Sequence, residues 1–366
     1  MEGTDRRRLS NGRLLFGLFA TTLVVSGFGA VADPQARLTS LLVFLPAFVA
    51  GQGTVRQTVF AGVWSTAAVL ASVVHHPEPR IADNLLVLSG AVLFAAFAAV
   101  ACRRRIAGES QIDRLRSTAT ALQREILRPL PQYDELVRVD GVYEPVQEDR
   151  LVGGDIYDVA STAYGTRVLI GDVQGKGVAA LGAGIAVIGA FREAAHREET
   201  LAGMVAAMEA ATSRHNADAA HDGEPERFVT ALVLCFGVEA EVRAVDCGHP
   251  PAYLLGIGGP SRVRLTEVGV PLGLADLVDA PRRESRFAFP PEATLVLYTD
   301  GLSEARNGDG GFYPLEQRLG LFAGLTPGGL ARALSQDVRE YARGRQDDLA
   351  VLVVRRRREG DRQESR

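Results

Sequence analysis

Residues 167–180 read Arg-Val-Leu-Ile-Gly-Asp-Val-Gln-Gly-Lys-Gly-Val-Ala-Ala. An aliphatic run closes on Gly171-Asp172, a glycine-rich turn follows, and small helix-favouring residues begin at Val178. Such a run, bounded by Gly and Asp, reads as a strand feeding a turn and then a helix. The same punctuation recurs across the second half of the chain. Gly153-Gly154-Asp155 opens a strand, Tyr298-Thr299-Asp300-Gly301 closes one, and Gln346-Asp347-Asp348-Leu349 starts the last. Further strands are expected at 136–143, 230–238, 242–246 and 252–255, with 294–299 and 349–354 leading out of and into the acidic pairs. Helices are expected near 177–196, 200–214 and 328–341. Short strands with hairpin-length connections around a helical pair predict an α+β fold, antiparallel sheets with helices packed outside.

One Asp-Gly pair is ordinarily a turn. Four carboxylates at strand ends form a site if the strands are neighbours. Hard oxygen donors suit magnesium or manganese, whereas zinc prefers His or Cys. Rival chemistries fail on the same residues. A cysteine-dependent phosphatase needs an arginine six positions after its nucleophile, but Gly108, Glu241 and Tyr253 stand there after Cys102, Cys235 and Cys247. The 171–177 loop lacks the gap and the Lys-Ser/Thr ending of a P-loop, and no Gly-x-Ser-x-Gly elbow supplies a serine.

The ordered motifs are VGGDIYD (152–158), GDVQGKGVAA (171–180), FVT (228–230), CGHPP (247–251), PLGL (271–274), LYTDGLSEA (297–305) and DDLA (347–350). Together with the LQREILRPLP lead-in (122–131), they resemble the bacterial branch of metal-dependent type 2C protein phosphatases. That branch includes the stage II sporulation protein E phosphatase and phosphatases controlling the general-stress sigma factor. The resemblance covers about residues 120–356. It implies two antiparallel sheets sandwiched between helices, and hydrolysis of phosphoserine or phosphothreonine by a metal-activated water. It also implies that Asp155, Asp172, the Val173 carbonyl, Asp300 and Asp347 hold two Mn2+ or Mg2+ ions, with Asp347 preferred over Asp348. Gly154 would let the backbone approach the ions. Lys176 would contact substrate phosphate or solvent, and His249 would either protonate the leaving oxygen or fix its own turn. Gln174 stands where serine is common, and no phosphate-binding arginine is assigned. The implied partner is a phosphorylated regulatory protein of the anti-anti-sigma type.

The first hundred residues differ. Stretches 14–32, 38–55, 57–74 and 84–102 are almost free of charge and long enough for four membrane spans. Arg6, Arg7, Arg8 and Arg13 precede the first, and Arg103, Arg104 and Arg105 follow the last, so both termini are expected on the cytoplasmic side of the cell membrane. His75 and His76, near Glu78 and Asp83, read as loop residues, and Trp64 as a packing aromatic. Ile112, Leu115, Ala119, Leu122 and Ile126 keep coiled-coil spacing, so 106–128 either pairs with a second copy or packs on the downstream domain. Pro129 and Pro131 end that helix.

The expected division is an N-terminus (1–13), membrane region (14–102), helical linker (103–132), phosphatase domain (133–356) and disordered tail (357–366). Lys plus Arg number 40 against 44 Asp plus Glu, a net −4 that excludes a dedicated nucleic-acid binder. Three cysteines cannot build a disulfide framework. The competing reading is a catalytically silent membrane receptor or scaffold. A transporter would be expected to carry intramembrane charges that these spans lack.

Overall fold

In the computed structural model the chain forms two compact units, Met1–Arg114 and Leu115–Arg366. The structure describes residues 10–32, 38–75, 81–145, 153–175, 177–278, 282–342 and 347–357. Arg6, Arg7, Arg8, His76, Glu78, Val152, Lys176, Gln346 and the tail from 358 lie outside them.

The first unit holds α1 (Asn11–Ala32), α2 (Leu45–Gln52), α3 (Val55–His75) and the larger part of α4 (Ile81–Ile126). Three segments, Asn11–Phe28, Val55–His75 and Ile81–Gln111, are long and apolar enough to cross a membrane. The remaining apolar stretch is divided, a 3-10 helix Leu38–Phe44 running into the short α2. Pro46 explains the division: it has no N–H to give to a preceding carbonyl, so the α-helical ladder starts afresh around it. Phe16, Phe28, Leu86 and Phe97 are exposed on α1 and α4, a costly arrangement in water. Within the unit, Trp64 Nε1 donates to Thr22 Oγ1 at 3.0 Å. A Cβ on Gly62 would meet that of Ala95 at 2.9 Å, so α3 and α4 touch through small residues.

The second unit carries eleven strands in two antiparallel sheets among its described residues. They are β1 (Gln132–Tyr133), β2 (Val137–Glu144), β3 (Asp155–Thr162), β4 (Gly165–Val173), β5 (Val229–Phe236), β6 (Glu241–Cys247), β7 (Tyr253–Gly256), β8 (Gly259–Arg262), β9 (Ser285–Ala288), β10 (Thr294–Tyr298) and β11 (Leu349–Arg356). One sheet runs β1-β2-β11-β10-β7-β8 and the other β3-β4-β5-β6-β9. Side-chain parity assigns the faces of β10 and β11. Leu295, Leu297, Ala350, Leu352 and Val354 enter the large core that also holds both faces' partners from β3–β6. Val296, Tyr298, Leu349, Val351 and Val353 enter a second core, with Leu319 of α8 (Leu315–Phe322) and Leu330, Leu334 and Val338 of α9 (Pro327–Ala342). Period-2 alternation on strands buried on both sides therefore serves two cores at once. Helices α5 (Val178–Arg197) and α6 (Leu201–His221) pack against β3–β6. The α+β sandwich with outer helices expected from the sequence is the architecture observed.

The end of α4 is anchored on this unit. Leu127 is buried in its core, Ile126 packs against that core, and Arg192 of α5 donates to Ile126 O at 2.6 Å while pairing with the fully buried Asp158. For Ile126, packing on the domain is thus the outcome. The side chains of Ile112, Leu115, Ala119 and Leu122 are outside the described residues.

Candidate metal centre

The hydrogen-bond register of β3 with β4 sets Asp155 directly opposite Asp172. Both are at the same sheet end, because β3 begins and β4 finishes there. From the other sheet, β10 delivers Asp300 as the first residue of a short helix, α7 (Asp300–Ser303), and β11 starts just after Asp347-Asp348. Asp155, Asp172, Asp300 and Asp348 thus come together from strand ends, the Gly154–Asp348 contact spanning 194 residues along the chain.

Glycine makes the approach possible. A Cβ on Gly154 would sit 2.6 Å from Val173 O, 2.7 Å from Asp172 Oδ1 and 3.3 Å from Gly175 O. Three oxygens, two of them the expected ligand atoms of Asp172 and Val173, therefore converge on the space a side chain would fill. A Cβ on Gly153 would sit 2.6 Å from Asp348 Oδ2. Asp348 is buried and its Oδ2 accepts the Gly154 N–H at 2.7 Å, whereas Asp347 is exposed and its Oδ1 accepts the Asp348 N–H at 2.8 Å. The geometry gives Asp348 a holding task on the Gly153-Gly154 turn and leaves Asp347 at the solvent side.

Asp155 is only 1% exposed. Burial, foremost, and then the carboxylates of Asp172, Asp348 and Asp300 hold its carboxyl well above the usual range, against the lowering effect of a hydrogen bond from Thr299. A buried group of like charges is costly alone and is relieved by a bound cation. The donor set is carboxylate and carbonyl oxygen, which fits Mg2+ or Mn2+. Among the described residues no three His, Cys, Asp or Glu side chains group closely enough to hold an ion by themselves, so an ion here would also need backbone carbonyls or water.

His249 is buried beside this cluster. Its Nδ1 lies 3.1 Å from Thr230 Oγ1, and Thr230 is the cross-strand partner of Asp172. Its backbone N–H donates to Asp246 Oδ1 at 2.9 Å. Burial pushes the imidazole down to about 3, with the Tyr298 backbone opposing. An imidazole so held is neutral near pH 7, which favours the turn-fixing role over proton donation. Unfolded histidine binds its proton near 6.5, so the unfolded state takes up protons first on acidification. Stability is expected to fall as pH drops from about 6.5 towards 3, and His249→Asn should flatten that part of the slope, read from denaturant melts at stepped pH.

The sequence reading missed several participants. Thr299 was passed over between two recognised residues. Arg227 packs its guanidinium on Gly175 and donates to Gln174 O at 2.8 Å, bracing the loop after Asp172. The FVT motif, one residue beyond it, was the available signal.

The sequence profile of stage II sporulation protein E (SpoIIE) matches residues 162–357, more than half of the chain. The chain belongs to the SpoIIE family. Among solved structures it is similar to the SiaA-PP2C domain of Pseudomonas aeruginosa, with a TM-score of 0.55 and 19% identity over 68% of this chain and 98% of that one. That likeness establishes the type 2C phosphatase fold. It is also similar to the RsbU and RsbW domains of a Mycobacterium tuberculosis protein (24% identity, TM-score 0.47, 61% of this chain), of which it spans 60%. The phosphatase domain and regulatory fragment of SpoIIE from Bacillus subtilis aligns at 17% identity and TM-score 0.49, covering 62% of this chain and 64% of that one. No curated protein sequence matches. The matched residues 162–357 lie within the second unit, which carries the acidic strand ends described above.

Proposed function

We propose that this SpoIIE-family chain is a membrane-anchored, metal-dependent protein serine/threonine phosphatase acting on a phosphorylated regulatory protein. Asp155, Asp172, the Val173 carbonyl, Asp300 and Asp347 hold two Mn2+ or Mg2+ ions in this reading, with Asp348 and Gly154 shaping the turn beside them. The observation that carries it is the convergence of Asp172 Oδ1 and Val173 O on the side-chain space of Gly154, next to an Asp155 whose carboxyl is raised by burial and then by its acidic neighbours. The ions supply positive charge beside the phosphoryl oxygens and make water more acidic. The chain's own part is to hold carboxylates rigidly in a low-dielectric cleft, so that little reorganisation is needed when charge develops.

The three apolar helices support anchoring of the first unit, and the arginines at 103–105 support placing the second unit on the cytoplasmic side. Membership of the SpoIIE family and the type 2C phosphatase fold support a phosphorylated regulatory protein as substrate. A silent scaffold would need neither the four carboxylates nor the glycine approach.

The test uses the full chain in detergent with a generic phosphomonoester and with phosphorylated regulatory proteins of the anti-anti-sigma type. Wild type should release phosphate only with Mn2+ or Mg2+, and Asp300→Asn should lose that release. Absence of metal-dependent release from every substrate would refute the enzymatic reading and leave the scaffold.

A further inference from the structure

Thr299 joins the two sheets at the carboxylate cluster. It follows β10 in the six-stranded sheet and is wholly buried. Its backbone N–H donates to Ala350 O at 3.1 Å, and its Oγ1 accepts the Ala350 N–H at 2.9 Å. The residue is therefore clamped twice to β11. A threonine hydroxyl has a single proton to give. With Ala350 N–H entering a lone pair, that proton goes to Asp155 Oδ2 at 2.7 Å, on the first residue of β3 and across the sandwich. The alternative acceptor, Ala350 O, lies farther off at 3.5 Å.

We infer that Thr299 is a positioning residue for the metal centre: its hydroxyl sets the rotation of the Asp155 carboxylate in the cleft. The inference rests on the reading of Asp155 as a ligand given above. A ligating carboxylate left to rotate would lose part of its affinity to disorder, and hydrogen bonds behind metal ligands commonly govern that affinity. β-Branching stiffens the threonine side chain, so the hydroxyl is delivered in a fixed direction. Asp348 acts in parallel from the neighbouring strand, through Gly154 N–H.

The experiment is calorimetric titration of the full chain in detergent with Mn2+, on wild type, Thr299→Val and Thr299→Ser. Thr299→Val keeps the shape and removes the hydroxyl; it should bind Mn2+ about 10–100-fold more weakly. Thr299→Ser should bind close to wild type. A hydroxyl with a purely structural task would lower the metal-free melting temperature of Thr299→Val while leaving its Mn2+ dissociation constant unchanged, and that result overturns the inference. So does a serine variant as weak as the valine one. Should Thr299→Val lack a cooperative melt, Thr299→Ala takes its place under the same criteria. If wild type takes up no Mn2+, the ligand reading of Asp155 fails first and the Thr299 assignment falls with it; if wild type binds and the variants match it, only the Thr299 assignment falls.

Discussion

Asp155→Asn is expected to remove metal-dependent phosphate release, by about 10²–10³-fold or more, while raising the melting temperature of the metal-free protein. The two effects have opposite signs because one carboxylate serves chemistry and opposes folding. Asp155 is buried among Asp172, Asp348 and Asp300, and without a cation its charge is repelled from all three. Asparagine keeps an oxygen to accept the Thr299 hydroxyl, so the contact across the sandwich survives. The gain should be on the order of 1 kcal/mol, about 2–4 °C for a domain of this size. A pH series separates this from general improvement. Folded Asp155 keeps its proton to higher pH than unfolded aspartate, whose usual value is 3.8. Its contribution to stability is present in acid and is lost as pH rises through the raised value. The wild type should show that decline without metal, Mn2+ should cancel it, and Asp155→Asn should flatten it. A variant with full metal-dependent activity would exclude Asp155 from the centre.

Gly301→Ala should be nearly as damaging, by a different route. A Cβ at this position would lie 1.8 Å from Asp348 O and 2.9 Å from Asp348 C. Both atoms are backbone, so no side chain can swing away; α7 or the start of β11 has to move. Either movement shifts Asp347-Asp348 relative to Asp300, and movement of β11 also loosens the Asp348 grip on Gly154. Displacements near 1 Å at a reacting centre cost about 10²-fold in rate, and overpacking of this kind costs about 1–3 kcal/mol. Phosphate release and a urea melt measure the two losses. Gly308→Ala is the control: a Cβ there meets nothing within 4 Å, and stability should stay within about 0.5 kcal/mol of wild type.

These predictions draw unequally on sequence and structure. The apolar strands that close on Gly-Asp were legible because aliphatic runs and turn residues are local signals. β4, β5, β6, β10 and β11 fall where the pattern put them. The four-residue strands β8 and β9 were not foreseen, since Gly-Pro-Ser-Arg and Ser-Arg-Phe-Ala lack the apolar run that marked the equally short β7, Tyr-Leu-Leu-Gly. α7 was read as the end of a strand, because four helical residues leave no amphipathic trace. In the membrane region four apolar stretches were visible, but how Pro46 divides the second of them depended on backbone hydrogen bonding.

What composition and spacing determined unaided was the partition into an apolar first part and a charged α+β second part, and the chemical type of the site, since oxygen donors beside glycines limit which cations can be held. Tertiary structure alone decided which carboxylate faces which. The Thr299–Asp155 bond spans 144 residues and the Asp348–Gly154 bond spans 194. Burial next to other charges, the fit of a backbone against a missing side chain, and a hydroxyl proton with one place to go are properties of neighbours brought together by folding, and no window of sequence contains both partners.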